Sequence, residues 1–334
     1  MRTSWSVALV ALLLAFVAVG CSRNVAPLAR GPAATARVAL GVRVGTADIG
    51  GMTVADAEKV LNGLAAQMAR APRNAHVDPY TKGLVPSVTG VRLDLAAILR
   101  QALAARRGQE VTPITEPLPP AINVSDLPPA PIYNGPQDRP EVAFVINVAW
   151  GEQYLPGMLR TVAADKAPVT FCLVGRWAEA HPDLVREMVE TGQRAGAPHT
   201  FCNHGYRDHG WALLSQAQAL DSITAGDRAI ARLTGATPRY FSPHRGEFNP
   251  GVLAASRQAG HELVLWSLDT IDWKNPPASM MRTRIVSKVK AGDIVLMHPT
   301  APTEEALAAM IAGVRAKGLR LVTLDGLLSP EGGA

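Results

Sequence analysis

The chain has 334 residues, 48% hydrophobic and 18% charged, with a formal net charge of +5. So much apolar material supports sizeable cores over about two domains' length and excludes a disordered or fibrous chain. Its 33 Lys and Arg are scattered rather than blocked, which excludes a typical nucleic-acid binder, and three cysteines are too few for a disulfide scaffold.

Arg2 precedes an apolar run from Val7 to Val19. That run is short of the roughly 20 residues a membrane-spanning helix needs, and it fits the apolar centre of an export signal. Ala18-Val19-Gly20-Cys21 resembles a bacterial lipobox, with Ala18 where such motifs usually carry Leu. The expectation is an exported protein on the extracellular face of the cytoplasmic membrane, held there by a lipid or by the uncleaved apolar anchor.

A small α+β domain is expected over 38–112. Alternation from Val38 to Val44 predicts a strand, Gly50-Gly51 a turn, and Thr53 a cap for a helix over Val54 to Met68. A second helix is predicted over Leu93 to Ala105, ending in two arginines and a glycine. Nine prolines between Pro113 and Pro140 predict an extended, semi-stiff linker.

The larger domain, 141–328, alternates strand and helix. Strands are predicted at 141–147, 168–174, 199–203, 239–242, 262–267, 293–297 and 319–323. Helices are predicted near 152–164, 182–191, 213–233, 250–259, 278–290 and 303–317. Strict alternation with short loops points to a parallel sheet covered by helices. The predicted fold class is α/β, a distorted seven-stranded β/α barrel. An open doubly wound sheet is the alternative, although no glycine-rich phosphate loop follows the first strand. Cys172 and Cys202 fall in neighbouring strands and read as buried thiols, with a disulfide as the other possibility.

Polar residues gather at the strand ends: Asn147 with Glu152, Asn203-His204 with Asp208 and His209, Ser242-Pro243-His244-Arg245, Asp269 with Asp272-Trp273, and His298. In a β/α barrel these ends share one rim, where active sites are built. Each residue alone has a structural explanation, and the joint pattern is what points to a site.

Read together, Ile146–Pro156, Pro168–Phe171, Asn203–Tyr206, Leu268–Pro276 and Ile294–Thr300 make this domain similar to the polysaccharide deacetylases. These are the NodB-homology domain of carbohydrate esterase family 4, and the nearest branch is its sporulation-associated exported one. The first domain, through Ile49–Thr53 and Gly90–Asp94, resembles a peptidoglycan-binding module of exported Gram-positive proteins. The resemblance implies a distorted β/α barrel that removes N-acetyl groups from GlcNAc or MurNAc in cell-wall or spore polysaccharide. It also implies a divalent metal, usually zinc, held by one Asp and two His.

Carried over residue by residue, His298 matches the catalytic acid and Asp272 the carboxylate that supports it. Trp273, Pro243 and Leu296 match sugar contacts, and His204 matches the first metal histidine. The second metal histidine falls on Asp208, or on His209 after a one-residue shift. Asn147 stands in the place of the base, where an amide cannot accept a proton. The arginine that orients the base is replaced by Ser242, and Glu152 is the candidate to replace the metal carboxylate or the base. Two readings follow: a deacetylase with altered chemistry, or a pseudoenzyme that binds cell-wall glycan at the membrane surface.

Overall fold

The computed structural model describes residues 36–333, so the expected export signal and lipobox lie outside the described residues. Eight segments form one parallel sheet, because each strand except Glu262–Leu263 is followed by a helical segment that returns the chain to the same sheet end. They are β1 (Glu141–Val148), β2 (Thr170–Leu173), β3 (Thr200–Asn203), β4 (Tyr240–Phe241), β5 (Glu262–Leu263), β6 (Leu268–Asp269), β7 (Ile294–Met297) and β8 (Arg320–Val322). Seven follow the path β5-β4-β3-β2-β1-β7-β6 as a curled half-barrel, and β8 pairs with β1. All seven predicted segments contain a strand, and the two-residue β6 is an addition.

β1 is buried at all eight positions. Val142, Phe144, Ile146 and Val148 pack into the core beneath the helices, whereas Ala143 and Val145 fill the barrel interior. Asn147 is in phase with the second set and faces inward at the rim. Among the described residues no helix is long and apolar enough to cross a membrane.

The described chain divides into two units, residues 36–64 with 95–113, and 65–94 with 114–333. In the first, Arg43–Val44 pairs with Ala47–Asp48 and with Glu110–Val111. The strand predicted from Val38 narrows to these two residues because Gly41 takes a positive φ of 75°. Helix Val54–Met68 forms over the predicted span, with the Asp56 amide donating to Thr53 Oγ1 at 3.2 Å.

The proline-rich stretch departs from the expected extended, semi-stiff linker and belongs, together with residues 65–94 of the expected small domain, to the second unit. Thr115–Leu118 pairs with Gly90–Leu93. The Ile132 amide donates to the Leu263 carbonyl, and the Ile132 carbonyl accepts from the Leu265 amide, both at 2.8 Å. Prolines remove donors from this stretch, and amides left between them find strand carbonyls, as at Ile132, or side chains, as at Ala121 and Ile122, which both donate to Asn74 Oδ1.

Register sets Asn147 beside Cys172 and Cys172 beside Cys202, so the three share one interior layer. The two cysteines are fully buried and joined as a disulfide, which replaces the expectation of free thiols. They are separated by 30 residues in sequence, and closing such a loop is worth about 3.6 kcal/mol. The double variant Cys172→Ala/Cys202→Ala should lose about that much unfolding free energy in a urea titration. An unchanged midpoint would contradict this.

Candidate active site

The C-terminal strand ends surround a cavity of about 410 Å³. Its walls include Asn147, Trp150, His204, Asp208, His244, Arg245, Trp266, Asp269, Trp273, Leu296 and His298. A larger hollow of about 660 Å³ opens by the opposite strand ends. There Arg315 is spent on the Asp165 carbonyl and Arg320 on Glu141, so the chemistry lies at the first cavity.

The Asp272–His298 pair expected at this rim is fully assembled. Asp272, with 1% of its surface exposed, accepts three hydrogen bonds. Oδ1 takes the His298 Nδ1–H at 2.8 Å, and Oδ2 takes the His298 amide and the Thr303 hydroxyl, the latter at 2.8 Å. Thr303 is placed by helix Ala301–Ala316, whose first turn is capped by Thr300. With Nδ1 occupied, Nε2 is the ring atom of His298 left for a ligand. The Trp150 ring stacks on this imidazole at 5.9 Å, tilted by 10°. Gly151 makes that stacking possible: at φ 88° it passes so close to Pro299 that a Cβ would sit 2.1 Å from the carbonyl oxygen.

The other half differs from the expectation. His204 is buried and donates its Nδ1–H to the Ser242 carbonyl, so its Nε2 carries the lone pair. Asn203 braces the following loop by accepting the Gly205 amide at 2.6 Å and donating to Asp227 at 2.7 Å. The His204 and His244 rings lie 3.8 Å apart. Burial, reinforced by the His244 ring, holds His204 well below the usual histidine range, and burial drives His244 down to about 3. Both are therefore neutral near pH 7. Asp208 accepts two hydrogen bonds from Arg245 Nη1, at 3.0 and 3.2 Å. Burial raises the Asp269 carboxyl.

Several expected residues stand elsewhere. Glu152 lies on a turn away from the cavity walls, accepting the Trp177 indole N–H at 2.7 Å with His181 at 3.6 Å, so it replaces neither metal ligand nor base. The His209 ring packs edge-on against Trp211 and does not line the cavity, which leaves Asp208 as the residue following His204 into the site. Pro243 is also off the wall and serves to shape the turn after β4, accepting the Gly246 amide. Trp273 and Leu296 are on the wall as expected, and Asn147 is there with its buried Oδ1 unpartnered. Trp266 and Thr303 were not anticipated, while Trp150 and His244, which the sequence puts at the strand ends, were given no role there. Thr303, three residues after a capping Thr300, was a signal that could have found one of the two.

Among the described residues, no group of three or more His, Cys, Asp or Glu side chains is placed to hold a metal ion. His204 Nε2 is available, but Asp208 is committed to a guanidinium. Asn147 is an amide and Val148 faces the helices. This set does not fit a divalent metal, which needs about three protein ligands.

Residues 134–264 match the polysaccharide deacetylase family model. The uncharacterized protein YlxY of Bacillus subtilis is 32% identical over 259 residues, 77% of this chain and 78% of its own. A peptidoglycan-N-acetylglucosamine deacetylase of Bacillus cereus is 26% identical over 58% of this chain and 70% of its own. Among solved structures, a Bacillus anthracis protein described as a CE4 family pseudoenzyme superposes with a TM-score of 0.70 at 30% identity. That match covers 82% of this chain and 95% of the other. A mutant of the same protein, described as having restored enzymatic activity, gives a TM-score of 0.70 at 29% identity over 82% and 98%.

Two outcomes follow from this geometry. Asp272→Asn, which disrupts a buried charge-assisted network, should cost about 2–4 kcal/mol, and Thr303→Val about 1 kcal/mol, in denaturant titrations. For pH, an unfolded histidine takes a proton near 6.5, whereas folded His244 resists it down to about 3. The stability from neutral His244 is therefore whole above pH 6.5 and is lost as pH falls toward 3. Thermal melts of His244→Asn should fall less steeply than wild type across that window, and parallel slopes would contradict the assignment.

Proposed function

Because the chain belongs to carbohydrate esterase family 4, the polysaccharide deacetylases, we propose that it binds N-acetylated cell-wall or spore glycan without metal-assisted hydrolysis of the acetamide. The observation that carries this reading is Asn147. It sits at the head of the central strand, where the family places its base, and its amide cannot take a proton from water. The occupied Asp208 and the displaced Glu152 support it, because no ligand set remains for the ion that would activate that water. The solved pseudoenzyme relative is consistent with a family scaffold kept for something other than turnover.

What remains suits sugar recognition. Trp150 and Trp273 are 44% and 56% exposed at the mouth, and Trp266 lines the wall between them in sequence. Such flat apolar faces stack on pyranose rings, while His298 Nε2 and the Asn147 amide offer fixed polar contacts to an acetamido group. Export, attachment at the outer face of the membrane through the first 21 residues, and wall affinity of the first unit form part of the same proposal. They are supported by the sequence patterns described above.

A second reading, residual N-deacetylation, is favoured by the intact Asp272–His298–Thr303 network, which orients an imidazole as a general acid requires. One experiment separates the two. Chitotetraose and muramic-acid-containing glycan fragments are titrated into the protein, and acetate is assayed in parallel. Saturable binding, weakened about tenfold in Trp150→Ala or Trp273→Ala, with no acetate released, is the expected result. Acetate release that disappears in His298→Ala would replace the binding reading with the enzymatic one.

A further inference from the structure

The His298 ring is oriented by a buried aspartate, and the β3 side of the rim has a counterpart that lies outside the cavity. Asn203, the last residue of β3, is fully buried and precedes His204. Both of its Nδ2 protons go to helix Gln216–Thr234, one to the Ile223 carbonyl and one to Asp227 Oδ1, each at 2.7 Å. Its Oδ1 is thereby turned the other way and accepts the Gly205 amide at 2.6 Å. A flipped amide would set oxygen against a carboxylate and a carbonyl, so one orientation alone satisfies every partner.

Asp227 has its own partner behind it. His261, 2% exposed just before β5, brings Nε2 to 2.8 Å from Asp227 Oδ2. Ser256 fixes the His261 main chain, its carbonyl accepting the His261 amide and its hydroxyl donating to the His261 carbonyl.

The arrangement carries two costs. Gly226 stands inside the helix, where glycine is worse than alanine by about 1 kcal/mol. A carboxylate and an imidazole are also largely withdrawn from water. Both costs serve placement, since a Cβ at Gly226 would come 2.6 Å from Asn203 Oδ1. Asn203, Asp227 and His261 do not line the cavity. The turn they hold does: Gly205, at φ 83°, lies between His204 and Asp208, which are both on the wall.

We propose that Asp227 is a positioning residue for the site: with His261 behind it, it fixes the Asn203 amide and so sets the turn that presents His204 and Asp208 to a ligand. Its consequence for a ligand rests on the glycan-binding reading, and its hold on the turn does not.

The test pairs amide NMR spectra of the full-length protein with chitotetraose titrations. Asp227→Ala should move the Gly205 amide proton upfield, as its bond to Asn203 loosens, and weaken chitotetraose about tenfold. Asp227→Asn keeps an acceptor for Asn203 and should restore both. Gly226→Ala leaves Asp227 and His261 in place but crowds Asn203, so it should reproduce both changes, and it decides the matter if Asp227→Ala does not fold. A lowered melting temperature with an unmoved Gly205 resonance and wild-type affinity would mean a merely structural role and overturn the proposal. A moved resonance with unchanged affinity would overturn it too, as would failure of Asp227→Asn to rescue. If wild type binds no chitotetraose, the glycan reading falls, and the Gly205 resonance still decides whether Asp227 sets the turn.

Discussion

The register of β1 fixes most of what the site can display. The strand is flanked by three parallel neighbours, β2, β7 and β8, and buries every side chain. Its strict alternation sends four large apolar residues to the helices and leaves Ala143, Val145 and Asn147 for the narrow interior. A one-residue slip would bring Val148 inward and bury Asn147 against helices. The one charged residue in the strand, Glu141, lies at the far end and is held there by Arg139 at 3.2 Å and Arg320 at 2.6 Å. Charge at one end, small apolar residues in the middle and a lone amide at the other follow from a single strand's phase.

The carboxylates around the rim are settled by internal partners rather than left for a ligand. Asp272 serves His298, Asp208 serves Arg245, and Glu152 serves Trp177. Each pairing commits a carboxylate to a partner within the chain, and that of Asp272 fixes the orientation of the His298 ring. The fold and the Asp272–His298 pair persist together, and the opposite side of the rim is organised around the Arg245–Asp208 contact. Scaffold and chemistry therefore separate cleanly along the rim, between the β7 side and the β3–β4 side.

The β/α alternation, the rim and the Asp272–His298 pair were legible because they depend on local periodicity and on residues at strand ends. The remainder depended on contacts distant in sequence. Glu152 and Trp177 are 25 residues apart, and nothing local shows that the turn after β1 points its carboxylate toward that indole. The choice between Asp208 and His209 rests on Arg245, which is 37 residues from Asp208. The proline-rich stretch reads as a spacer because its composition is that of one, and only the pairing of Ile132 with β5 shows otherwise. The cysteines could be placed on neighbouring strands from sequence, but their shared layer is a matter of register.

The close approach of Gly151 to Pro299 gives the mouth two unlike lips. On one side the loops after β1 and β7 are in close contact, and Trp150 rests against the His298 ring. On the other, Trp273 rides a short turn bracketed by Ile271 and Asn275, both at positive φ, with its ring open to solvent under Lys274. Accommodation of chains with different substituents would fall on that second lip, with the first acting as a fixed gauge against which each sugar ring is measured.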